Sequence, residues 1–141
     1  MIARVGTSMP ELVAVLLLTA ILLAIAVPRL HQGAERAAVR GAAADVVATL
    51  SMARQLAVSR GGRVSVSVDA PAGTLRIIHD DDTLATRPLG RMFGVTVSST
   101  RDSLTYDARG LGSGAANLTF VVARGMTADT VVVSRLGRVR W

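Results

Sequence analysis

From Leu12 to Val27 the chain runs through sixteen uncharged and almost wholly apolar residues, closed by Pro28. A secretory signal peptide carries a shorter apolar stretch, roughly 7–15 residues, before a small-residue cleavage site. Here the run is longer and is followed by "PRLHQG", with no A-x-A pattern, so removal as a secretory signal is not expected. A membrane-spanning helix needs about 20 predominantly apolar residues. Met9, Pro10 and Leu30 extend the apolar character at both ends, so the length suits a short or partly protein-buried span.

A carboxylate, Glu11, stands at the mouth of this run. Placing a charge at the centre of a span costs about 2.5–3.5 kcal/mol, and less near the interface, so Glu11 should either mark the membrane boundary or have a partner. Physics alone leaves both readings open.

With 141 residues the chain has room for one domain and one long helix. Half of the residues are hydrophobic, yet the aromatics are one Trp, one Tyr and two Phe, so the apolar character comes from Ala, Val and Leu. All sixteen cations are arginine, against ten carboxylates. The resulting net charge of +6 permits attraction to phosphates, acidic proteins or lipid headgroups without choosing among them. With no cysteine there is no disulfide framework, thiol nucleophile or thiolate metal site.

Gly6 followed by Thr7, Glu11 five places after the glycine, the unbroken apolar run, and Pro28 twenty-two places after the glycine together resemble the type IV prepilin signal of pilins and pseudopilins. The resemblance implies that a prepilin peptidase cuts between Gly6 and Thr7, removing the leader "MIARVG" with its Arg4, and methylates the new amine of Thr7. It further implies a single-pass protein of the inner membrane, with its N-terminus cytoplasmic and its C-terminal domain periplasmic, extractable into a pilus or pseudopilus. Membrane lipid, other pilins or pseudopilins and their assembly machinery would be its partners. It also supplies Glu11 with a partner, the terminal amine of a neighbouring subunit. An uncompensated buried charge is very costly, whereas a paired one roughly offsets its desolvation. Glu11 and Pro28 are the expected assembly residues. Thr7 and Pro10 depart from the commonest residues of that signal, although proline suits a first helical turn because its missing N–H is unpaired there.

Beyond Pro28 the residues Leu30, Ala34, Ala37, Gly41, Ala44, Val47, Leu50, Ala53 and Ala57 recur at spacings of three and four. This predicts an amphipathic helix with a stripe of small residues that packs on a sheet and ends near Arg60 at Gly61-Gly62. Pro28 is expected to kink it. After Gly62 the period changes to alternation. Strands are expected with Val64, Val66 and Val68 on one face, near Thr74–Ile78, and again after a turn at Asp80–Asp82. Further strands are expected near Gly94–Ser98, Ser103–Tyr106, Asn117–Val122, Thr130–Ser134 and Arg138–Trp141. The fold class is α+β, a long N-terminal helix packed on an antiparallel β-sheet or sandwich. The expected organisation is a leader at 1–6, a transmembrane helix at 7–28, an amphipathic periplasmic helix at 29–62 and a β domain at 63–141.

Within this class, "SMARQLAVSRGGRVSVSV", "LTYDARGLGSG" and "VVVSRLGRVRW" resemble the helix-to-strand junction, the aromatic-Asp-x-x-Gly segment and the Gly-Arg-x-Arg terminal strand of the GspH/FimT branch. That branch contains minor pseudopilins of type II secretion and minor pilins of type IV pili, some of which bind DNA during uptake.

No constellation points to catalysis, and no cofactor is expected. His79 beside Asp80, Asp81 and Asp82 is read as a solvated turn in preference to a calcium site. Gly110, Gly112 and Gly114 are read as a loop, because no strand–helix unit surrounds them as a phosphate-binding fingerprint requires. The arginines remain. Arg135, Arg138 and Arg140 cluster at the C-terminus, and alternation puts Arg138 and Arg140 on one face, where they can contact phosphates with Trp141 available to stack on a base. The other reading is an edge strand protected from aggregation by charge. Three readings follow: the first is a structural subunit that assembles or caps a type II secretion pseudopilus or type IV pilus, and the second a DNA-binding minor pilin that uses Arg135, Arg138 and Arg140. A simple anchored β domain outside any filament is the third.

Overall fold

A computed structural model describes residues 8–113 and 117–141. Helix α1 (Met9–Arg60) contains Pro28. The chain divides between Ala34 and Glu35 into two units. In the first unit, every residue from 9 to 34 is exposed. That exposed stretch is long and apolar enough to cross a membrane.

In the second unit, α1 buries Val39, Ala42, Ala43, Val46, Thr49, Leu50, Ala53 and Ala57. The C-terminal half of this stripe is the expected one, but its N-terminal half is not: Leu30, Ala34, Ala37 and Ala44 are exposed. The alanines at 42, 43 and 44 fit more than one phase of a 3.6-residue period, and the sheet selects 42 and 43. Thr49 is buried too, and its hydroxyl donates to the carbonyl of Asp45 at 2.7 Å, which satisfies it within the helix. The helix stops as Gly61-Gly62 predicts. Gly61 adopts φ 61°, its N–H bonds the carbonyl of Val58 at 3.3 Å, and that of Gly62 bonds Ala57 at 3.2 Å, the two bonds of a Schellman motif.

Among the described residues nine strands follow, with one short helix: β1 (Val64–Asp69), β2 (Thr74–His79), β3 (Asp82–Pro88), α2 (Leu89–Phe93), β4 (Thr96–Ser99), β5 (Ser103–Tyr106), β6 (Gly112–Ser113), β7 (Leu118–Arg124), β8 (Thr127–Val133) and β9 (Val139–Arg140). One sheet has the order β3-β2-β1-β5-β6 and the other β4-β7-β8-β9, and every pairing is antiparallel. Alternation is strict in β1, where Val64, Val66 and Val68 are buried, and in β7, where Leu118, Phe120 and Val122 are. These side chains join Leu50, Leu75, Ile77, Tyr106, Val131 and Val133 in one core against the helix stripe. Fully burying a side chain of the Val, Leu or Phe kind contributes about 1.5–3 kcal/mol, so the core is ample for a domain of this size.

Three elements depart from the expected positions. Helix α2 is not expected from the sequence, being five residues held between Pro88 and a left-handed Gly94, too short to show a period. Strand β8 begins at Thr127, three residues earlier than expected, because the turn before it is only Gly125-Met126, with glycine at the position where a type II′ hairpin requires positive φ. Strand β6 lies inside the expected loop and pairs Gly112 with Tyr106. Gly114, the third glycine of that loop, lies outside the described residues.

Candidate functional site

Two regions carry the predicted functional residues. The first is the start of α1. Gly6 and Thr7 lie outside the described residues. Ser8 precedes the helix and Glu11 follows three places later, the spacing of a capping box. The backbone N–H of Ser8 donates to Oε2 of Glu11 at 3.4 Å, and the N–H of Leu12 bonds the carbonyl of Ser8 at 3.1 Å. Pro10 sits in this first turn, where its missing N–H costs nothing. Glu11 is exposed, as are Leu12, Val15 and Leu16 beside it. A carboxylate at a helix N-terminus lies at the positive end of the peptide dipoles, a favourable placement.

The second region is the C-terminal arm, built from two sequence motifs that pack on each other. In the aromatic-Asp-x-x-Gly segment, Tyr106 is fully buried at the end of β5. Its hydroxyl has no hydrogen-bond partner among the described residues. Burial pushes the phenol up to about 12, only partly countered by the nearby Arg54 guanidinium. Asp107 ties the following turn. Its Oδ1 accepts from the N–H groups of Arg109 and Leu111, both at 2.9 Å, and its Oδ2 pairs with the Arg109 guanidinium at 3.3 Å. The bond from the Leu111 N–H, followed by those from Arg109, holds the Asp107 carboxyl below its ordinary value despite some desolvation. Gly110 closes the turn at φ 73°, and a Cβ there would lie 3.0 Å from Val58 and 3.1 Å from Arg54 on α1.

The Gly-Arg-x-Arg motif sits on this platform. Gly137 adopts φ 77°, and a Cβ on it would stand 2.7 Å from Cε1 of Tyr106 and 3.1 Å from the backbone nitrogen of Gly112. Its turn is closed by bonds from the Gly137 N–H to the Ser134 carbonyl and from the Ser134 N–H to the Arg138 carbonyl, both at 2.8 Å. The arm therefore projects Arg135 from the turn, Arg138 from the position just before β9 and Arg140 from β9, all three exposed. Val139 pairs with buried Val133 and Arg140 with Val132, so alternation puts Arg138 and Arg140, on either side of Val139, on the outer face. Among the described residues none of the three forms an ion pair. Trp141 departs from the expected arrangement. One step further along the strand, it falls on the face opposite Arg138 and Arg140, and its indole N–H donates to Oδ2 of Asp129 at 2.7 Å. Asp129, whose carboxylate anchors the end of the chain, carried no signal in the sequence.

The acidic turn is a type I′ hairpin, with Asp80 at φ 45° and Asp81 at φ 69°. The Nδ1 of His79 lies 2.8 Å from the Arg63 carbonyl, and its Nε2 lies 3.4 Å from Asp80. Among the described residues no group of three or more His, Asp or Glu stands close enough to hold a metal ion.

Comparison with known proteins places this architecture. The sequence profile described as "Type II transport protein GspH" matches residues 42–137. The type IV minor pilin FimU of Pseudomonas aeruginosa, in two crystal forms, superposes with TM-scores of 0.64 and 0.59 at 22% and 21% identity. The better match covers 74% of this chain and 88% of that one. The minor pseudopilin EpsH from the Type 2 Secretion System of Vibrio cholerae gives 0.56 at 14% identity, covering 72% and 94%. At these identities the structural likeness is one of fold. No curated protein matches the chain as a relative. The long helix on antiparallel sheets is thus the pilin-like fold expected, and since the profile spans well over half the sequence, the chain belongs to the family described as Type II transport protein GspH.

Proposed function

We propose that this protein is a membrane-anchored structural subunit, cleaved after Gly6 and methylated on Thr7, whose apolar helix passes from the inner membrane into the core of a pseudopilus or pilus. One observation carries the reading: residues 9 to 34 present a membrane-length apolar surface with no protein covering it, on a chain whose remainder folds as a GspH-type domain. Such a surface is stable only in lipid or against other apolar helices. Prepilin peptidase, other pilins or pseudopilins, assembly machinery and lipid are then its partners. Glu11 sets register by pairing with a neighbour's terminal amine. In a strain assembling the filament, Glu11→Ala should leave membrane insertion intact and remove the subunit from sheared filaments; undiminished incorporation would end the charge-pairing role.

The exposure of Arg135, Arg138 and Arg140, unpaired among the described residues on a rigidly seated arm, favours a second reading as a DNA receptor on the filament. Phosphate contact through three arginines would make affinity fall steeply with salt.

A further inference from the structure

We infer that the uncovered edge of β8 is a binding slot for an extended acidic peptide of another chain, which adds as a strand beyond β9 and sets its carboxylates against Arg36 and Arg40. The slot lies wholly within residues 35–141 and does not depend on the anchored reading. Of the seven residues of β8 only two meet β9: Val132 pairs with Arg140 and Val133 with Val139. Residues 127–131 have no strand on that side among the described residues. Successive residues of a strand turn their backbone groups to opposite sides. The N–H of Ser134 bonds the Arg138 carbonyl on the β9 side, so Val132, Thr130 and Ala128 point the same way. At Thr130 the N–H is taken by Oδ1 of Asp129 at 2.8 Å. The Thr130 carbonyl and both backbone groups of Ala128 remain as an open ladder, and both residues are exposed. Such an edge accepts an extended chain through main-chain bonds, and the side chains beside it decide which chain.

Those side chains are basic. Arg36, Val39 and Arg40 of α1 and Thr127, Ala128 and Asp129 of β8 line a cleft of about 290 Å³ along the open stretch. Arg36 and Arg40 are exposed, and among the described residues neither forms an ion pair. They are one helical turn apart, about 6 Å of rise. Alternate residues of a strand share a face and lie about 6.6 Å apart, so two carboxylates on an added strand match the two guanidinium groups in spacing. Arg124, paired with Thr127, and Arg140, paired with Val132, stand at the two ends of the slot. Against these four arginines are two carboxylates. Glu35 is packed against the backbone of Gly125, and Asp129 is engaged by the Thr130 N–H and the Trp141 indole. The slot is therefore net positive, and charge complementarity selects a carboxylate-bearing peptide over a neutral one.

Trp141 reports on the slot. It is the only tryptophan, it follows directly on β9, and it is 60% exposed with its indole N–H on Asp129. A strand laid beyond β9 covers it. The full-length chain in neutral detergent is titrated with an acetylated, amidated six-residue peptide that alternates glutamate with threonine, and its tryptophan emission should shift to the blue and saturate. Replacing the glutamates by glutamine, or introducing Arg36→Gln with Arg40→Gln, should weaken binding about fivefold, the effect of two exposed ion pairs. Methylating the peptide's threonine nitrogens keeps its charge and removes its ladder donors. Ala128→Pro removes the open N–H of the edge and leaves the bonds to β7 in place. Each should weaken binding about tenfold or more. Thermal unfolding checks that the variants fold, and if Ala128→Pro does not, the methylated peptide carries the same test on the parent chain. No saturable shift at millimolar peptide would overturn the slot. Binding indifferent to methylation would overturn strand addition, and equal binding of the glutamine peptide would overturn the acidic preference.

Discussion

Replacing Gly137 by alanine should destabilise the globular unit by roughly 2–5 kcal/mol, the sum of two costs. At φ 77° an L-residue is in the left-handed region, where a Cβ costs about 1–2 kcal/mol. The new methyl would also stand 2.7 Å from the ring of Tyr106 and 3.1 Å from the backbone of Gly112. Tyr106 is fully buried between β1 and β6, so its ring cannot swing aside without disturbing the core, and overpacking of that kind costs typically about 1–3 kcal/mol. Domains of this size are stable by only about 5–15 kcal/mol. At roughly 4 °C per kcal/mol for a domain near 100 residues, the midpoint should fall by about 8–20 °C. Thermal unfolding of the full-length chain in detergent, followed by circular dichroism, measures this. Gly33→Ala is the control: nothing lies within 4 Å of its Cβ position, and alanine in a helix interior is favoured over glycine by about 0.5–1 kcal/mol. If Gly137→Ala unfolds within about 0.5 kcal/mol of the parent, the ordinary range for a surface change, the seating of the arginine arm on Tyr106 is refuted.

Converting the β2–β3 turn to an Asn-Gly pair, through Asp80→Asn and Asp81→Gly, should raise stability by about 1 kcal/mol in urea unfolding, because both positions hold positive φ and that pair prefers it. Asp107 has a depressed folded-state pKa, so its contribution is present above the ordinary aspartate value and is lost as pH falls through the folded value. Asp107→Asn should accordingly flatten the acid limb of the stability–pH curve. Tyr106 is the only tyrosine, so phenolate absorbance should titrate near 12 in the folded chain. Its raised value makes stability fall as pH rises from the unfolded value near 10 toward 12, and a midpoint near 10 with the fold intact would contradict its burial. If the arm binds DNA, Arg135→Gln, Arg138→Gln and Arg140→Gln together should reduce both affinity and its salt slope, by about one unit per lost phosphate contact in a filter-binding titration; equal binding by the triple variant would make the charge incidental.

What could be read from the chain in advance depended on whether the determinant was local. The α1 terminus is dictated by Gly61-Gly62, and β1 by alternating valines, because backbone freedom and side-chain period act within a few residues. The phase of the helix stripe was lost in the run Ala42-Ala43-Ala44, where three identical residues leave the sheet to choose which two are covered. The short α2 depends on Phe93 docking where Gly41 leaves room on α1, far away along the chain, and no window of sequence reports such a contact. At the candidate site the exposed arginines were visible as charge and spacing. The seat beneath them was not: Tyr106, Gly112 and Gly137 meet only after β5, β6 and the β8–β9 turn have assembled. Trp141 looked like a partner for Arg138 and Arg140 until strand alternation and Asp129 turned it to the other face.

The processing of the N-terminus bears most directly on the anchored-subunit account. Intact-mass analysis of the chain expressed with and without a prepilin peptidase should show the peptidase-dependent loss of Met1 to Gly6 and the gain of one methyl group on Thr7. A chain that keeps Met1 to Gly6 and remains unmethylated with an active peptidase present would contradict the account and leave a simple anchored β domain.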